Sequence, residues 1–92
     1  MGLFGPPDVD KLKRERNVSG LISALRYKND YWVRAGAAGS LGFLRDPRAI
    51  EPLLGVLADE CDKVREYAAD ALGEFGDKRA AVPLCNLAKS NQ

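Results

Sequence analysis

Histidine is missing from all 92 residues. Its absence removes the commonest general base, the Ser-His and Cys-His nucleophile pairs and most zinc sites. Cysteine is scarce: Cys61 and Cys85 have no metal-like spacing and read as reduced thiols in a reducing compartment. No apolar run reaches the roughly 18 residues of a membrane span. Charge of one sign is also lacking, since the net charge is +1. Residues 1–34 carry seven Lys/Arg against four Asp/Glu, and residues 35–92 carry seven against nine. Neither part is basic enough to direct the chain to nucleic acid. Gly2 stands where myristoylation needs it, but Pro6 occupies the position that wants Ser or Thr, and no secretory signal is visible. The expected compartment is the cytoplasm.

What is present is an internal repeat. Asp46-Pro47-Arg48-Ala49-Ile50-Glu51-Pro52-Leu53 returns 31 residues later as Asp77-Lys78-Arg79-Ala80-Ala81-Val82-Pro83-Leu84. Val33-Arg34, Ala37-Ala38 and Leu41-Gly42 return at the same shift as Val64-Arg65, Ala68-Ala69 and Leu72-Gly73. A unit this short cannot bury its own apolar face, so neighbouring units must complete the core.

The periodicity within each unit is helical. Pro6-Pro7-Asp8 opens a short charged helix with Val9 and Leu12 on one face, and Asn17 caps a second helix bearing Val18, Leu21, Ile22 and Leu25. Asn29-Asp30 marks a turn. A helix from Tyr31 to Leu44 then turns Val33, Ala37, Leu41 and Leu44 inward and ends at Arg45-Asp46-Pro47. In the next unit Ile50, Leu53, Leu54 and Leu57 form one apolar stripe, and Val64, Ala68, Ala71, Leu72 and Phe75 another. A last helix carries Ala81, Leu84, Cys85, Leu87 and Ala88. The expected organisation is one domain: an N-terminal segment and capping helix over 1–16, then units at 17–45, 46–76 and a partial 77–92.

The pattern Val-Arg-x-x-Ala-Ala-x-x-Leu-Gly followed by Asp-x-Arg-Ala-x-x-Pro-Leu resembles the PBS-lyase HEAT-like repeat, over roughly Asn17 to Ala88. The resemblance implies an all-α, right-handed α-α superhelix of about two and a half helical hairpins, with second helices lining a concave surface. It also implies a ladder in which Arg34 and Arg65 bridge to loop carboxylates, Asp46 and Asp77 being the acids that repeat. Related HEAT-like hydroxylases hold iron through His-Glu pairs that this sequence cannot supply.

Gly36, Gly39 and Gly42 lie three apart in a predicted helix, not in a phosphate-binding loop, and each costs about 1 kcal/mol relative to alanine there. Close helix packing or an opened partner surface would compensate. On the second unit, Asp62, Glu66, Asp70 and Glu74 form an acidic i, i+4 ridge flanked by Lys63 and Tyr67, with no cation on the ridge to relieve it. Tyr31, Trp32, Ala35, Gly39 and Phe43 are expected to form an aromatic and small-residue patch beside it. The alternative for Trp32 is packing against the N-terminal cap.

These features predict a non-enzymatic protein-interaction module with no catalytic residue, cofactor or metal, taking a basic or amphipathic peptide on its concave face. The ridge would repel nucleic acid phosphate, and no membrane role is expected. The resemblance supplies an alternative, a component of a lyase that attaches or removes bilins. A further alternative is an accessory subunit, or a homodimer, docking through the open third unit with Val82 and Leu87.

Overall fold

Side-chain caps set where the helices begin. Asp8 accepts from the Lys11 N–H at 3.1 Å, Asn17 from Gly20 at 2.8 Å and Asp30 from Trp32 at 2.9 Å. Each such cap contributes about 1 kcal/mol. In a computed structural model, which describes residues 6–75, they open α1 (Val9–Arg14), α2 (Val18–Ala24) and α3 (Tyr31–Leu44). α4 (Ile50–Gly55) and α5 (Asp62–Phe75) complete the helical elements, and no strand occurs among the described residues. The third unit, with Cys85, Leu87 and the open end, lies outside them.

α3 takes the bounds that its sequence predicts and stops where Arg45 adopts a left-handed φ of 56°. The first helix of the second unit is a correction. The stripe of Ile50, Leu53, Leu54 and Leu57 does pack on the core, but the single helix expected to carry it divides into a 3-10 turn (Pro47–Ala49), α4 and another 3-10 turn (Val56–Ala58). Pro52 supplies no N–H and Gly55 has poor helix propensity, so the α-helix does not propagate.

α3 lies along α5, α2 covers α3, α4 covers α5, and α1 rests on α2 and α3. Leu21, Leu41, Leu53, Val64 and Leu72 are fully buried between these elements. Neighbours on several sides bury nine of the fourteen residues of α3, against four of fourteen in α5. α3 is therefore the central helix, which accounts for its run of small side chains. None of the helices among the described residues is long and apolar enough to cross a membrane.

A charged bond ties the two hairpins together. Arg34 donates through Nε and Nη2 to the two carboxylate oxygens of Asp59 at 2.9 and 3.2 Å, and through Nη1 to the carbonyls of Tyr27 and Lys28. Arg65 repeats part of this arrangement, donating to the Asp59 carbonyl at 2.7 Å, and Lys28 and Asp59 stand 31 residues apart. The expected ladder is thus corrected in its acid: Arg34 does meet a loop carboxylate, but it is Asp59. Asp46 is drawn to the N-terminus of its own turn, where it accepts from the Arg48 N–H at 2.9 Å and pairs with that side chain. Asp77 lies outside the described residues.

Burial opposes the Asp59 charge, but the Arg34 hydrogen bonds, the Cys61 N–H and the fields of Arg34 and Arg65 outweigh it. Together they hold the carboxyl below its ordinary value. A depressed folded pKa gives stabilisation that is complete above the unfolded value of about 3.9 and is lost as pH falls through the folded one. Urea denaturation should therefore show native stability falling below about pH 4, and Asp59→Asn should flatten that dependence. The Arg34 and Asp59 side chains are 8% and 11% exposed. Arg34→Ala leaves Asp59 without its partner and should cost roughly 3 kcal/mol near neutral pH. A loss below about 0.5 kcal/mol, the usual range for surface changes, would remove this bond from the account.

Candidate functional site on the α3 and α5 faces

Four large aromatic side chains of α3 and α5 stay exposed. Phe43 is 67% exposed, Trp32 54%, Tyr31 42% and Tyr67 41%. The Trp32 ring lies 5.1 Å from that of Tyr31, tilted by 37°. Asp62, Lys63, Glu66, Asp70 and Glu74 are all exposed on α5, so the acidic ridge is present as a surface feature.

Two expectations about this patch are corrected. Ala35 is fully buried and contributes nothing to the surface, because α3 is covered on more sides than a helix at the edge of an array. The ridge is also not without cations: Arg45 donates to Glu74 at 2.8 Å, and Lys63 lies 3.8 Å from Glu66. Both pairs are exposed, and exposed pairs contribute at most about 1 kcal/mol.

Between the helices runs a groove of about 560 Å³ lined by Gly39, Gly42, Phe43, Arg45, Tyr67, Asp70, Ala71 and Glu74. Five of the predicted partner-binding residues meet there: Gly39, Phe43, Tyr67, Asp70 and Glu74. Asp62, Lys63 and Glu66 extend from the groove toward the N-terminus of α5, and Tyr31 with Trp32 stand at the N-terminal end of α3. The three glycines have different uses. A Cβ on Gly42 would lie 2.7 Å from the Ala71 Cα, so this glycine permits the close helix approach at the groove floor. One on Gly36 would touch Val9 of α1 at 3.4 Å, whereas one on Gly39 would make only ordinary contact with the Tyr67 ring at 3.8 Å.

A second groove of the same volume lies on the opposite side, walled by Ile22, Leu25, Pro52 and Val56. Its buried polar groups, Arg34 and Asp59, are already committed to each other. Nearby Cys61 is a half-buried free thiol whose backbone N–H donates to Asp59 at 2.8 Å. No group of three or more acidic or cysteine side chains among the described residues could hold a metal ion. The α3–α5 groove therefore offers aromatic and charged surface for binding and orienting, without an evident nucleophile.

The sequence profile of the family described as HEAT repeats matches residues 18–92. The bilin biosynthesis protein PecE of Nostoc sp. is 43% identical over 65 residues, which is 67% of this chain and 25% of that protein. The phycocyanobilin lyase subunit alpha of Pseudanabaena tenuis is 38% identical over 89 residues, covering 87% of this chain and 31% of that protein. Its counterpart in Picosynechococcus sp. is 35% identical over 80 residues. The chain spans about a quarter to a third of the length of these relatives. Their names correct the expectation of a non-enzymatic chain. Lack of histidine excludes histidine-based chemistry, not membership in a lyase.

The glycine geometry gives a paired prediction. Gly42→Ala should lose more to overpacking, roughly 1–3 kcal/mol, than the ~1 kcal/mol of helix propensity it gains. Gly39→Ala should stabilise by up to about 1 kcal/mol. Thermal melts of both variants test this, and a Gly42→Ala chain more stable than the native one would contradict the close α3–α5 crossing.

Proposed function

This chain belongs to the HEAT-repeat family, and we propose that it works as a component of a bilin lyase-type assembly, with the α3–α5 groove holding the chromophore. The observation that carries this reading is the pair of exposed rings, Phe43 and Tyr67, facing across a glycine floor in a chain whose relatives bear bilin names. A conjugated open-chain tetrapyrrole offers extended π surface, and such rings gain about 0.5–1.5 kcal/mol per aromatic contact beyond area burial.

The chain's own residues bind and position. Phe43 and Tyr67 flank the chromophore, and the exposed Gly39 lets it approach the helix backbone. Arg45, held by Glu74, fixes one end of the groove. The acidic ridge, with Asp62, Glu66 and Asp70 beside Lys63, provides a contact for a basic or amphipathic segment of a protein partner, such as a companion subunit or an acceptor of the chromophore. Tyr31 and Trp32 extend that contact surface. This reading places the protein in the cytoplasm.

The test is binding of an open-chain tetrapyrrole by the full chain, followed by visible absorbance. Phe43→Ala and Tyr67→Ala should each weaken binding about tenfold, equivalent to 1.4 kcal/mol. Asp62→Lys and Glu66→Lys together should leave chromophore binding intact while abolishing capture of the protein partner. A chain that leaves the tetrapyrrole spectrum unchanged at any concentration would remove the chromophore from the groove.

A further inference from the structure

Phe43 belongs to two hollows. One side faces the α3–α5 groove; toward α1 it helps enclose a second hollow of about 370 Å³ with Asp10, Lys13, Arg14, Arg16 and Leu44. Both volumes fall in the roughly 300–1,000 Å³ range of small-molecule sites. Lys13 Nζ stands 4.3 Å from the Phe43 ring centroid, within cation–π range.

The charges of the second hollow do not balance. Three cations and one carboxylate line it. Arg34, Arg45, Arg48 and Lys63 each pair with a carboxylate, but no ion pair among the described residues uses Lys13, Arg14 or Arg16. Cations at the end of α1 do complement the helix dipole, which accounts for their sign. It does not account for Lys13 standing over the exposed Phe43 ring while Arg14 and Arg16 line the same hollow. Arg16 takes a left-handed φ of 55°, which carries the chain around the end of α1 and leaves its side chain lining the same hollow. A residue other than glycine rarely adopts that conformation.

We infer that the Lys13, Arg14 and Arg16 hollow is a carboxylate site. It receives the ionised propionates of an open-chain tetrapyrrole whose conjugated system lies against Phe43 and continues into the α3–α5 groove. This rests on the bilin reading above. The chemistry matches at both ends: a bilin is a flat conjugated chain with propionic acid side chains, and guanidinium groups take carboxylates through paired N–H donors. Lys13, already over the Phe43 ring, lies where the aromatic and anionic contacts meet.

The test uses the full chain and two probes, biliverdin with free propionic acids and its dimethyl ester, titrated at low salt and followed by visible absorbance. The native chain should bind the free acid about tenfold more tightly than the ester, as expected of charge-assisted hydrogen bonds. The triple variant Lys13→Glu, Arg14→Glu, Arg16→Glu should lose that preference while still binding the ester. A milder Lys13→Gln, Arg14→Gln, Arg16→Gln variant, with helicity confirmed by circular dichroism, guards against unfolding of α1. Equal affinity of the native chain for acid and ester would overturn the carboxylate site and leave the groove reading standing. So would an acid preference surviving in both variants, which puts the carboxylates elsewhere. Failure to bind either probe would overturn both readings together.

Discussion

The close approach of α3 to α5 at Gly42 and Ala71 is the constraint on which the described part of the molecule depends. A side chain at residue 42 would meet the Ala71 backbone, so the two long helices can lie together only where α3 has none. That approach buries Leu41 and Leu72 and brings Arg45 within reach of Glu74. It also sets the floor of the groove between Phe43 and Tyr67. On the opposite side, Arg34 and Asp59 join the two hairpins where short α2 and α4 make a weaker layer. One edge is held by packing and the other by a nearly buried charged bond.

Much of this was legible because local rules and tertiary demands agree. Asp8, Asn17 and Asp30 stand one residue before their helices, and the Val33, Ala37, Leu41 and Leu44 spacing matches the face that is buried. The 31-residue repeat announces a helical array, and Phe43, Tyr67, Asp70 and Glu74 line one groove. The exposed aromatic positions could be read because each falls outside the apolar stripe of its own helix.

The misreadings have a common origin in contacts between elements distant in sequence. The Arg34 partner lies 25 residues on, in a loop where no periodicity distinguishes Asp59 from Asp46. Ala35 looks outward on a helical wheel, but a central helix has fewer free faces than an edge helix. Arg45 relieves Glu74 from 29 residues away and is itself the left-handed residue at which the chain turns. Lys13 reaches Phe43 only because α1 folds back over α3. The missing histidine and nucleophile bear on bond-making chemistry, and neither is needed to hold a chromophore.

The most direct measurement of the central claim is amide hydrogen exchange on the full chain with and without saturating open-chain tetrapyrrole. Exchange should slow in residues 39–45 at the α3 end and in 67–74 of α5, with little change around Ile22 and Val56 on the opposite groove. Protection confined to that opposite groove, or none at all with tetrapyrrole bound, would contradict it.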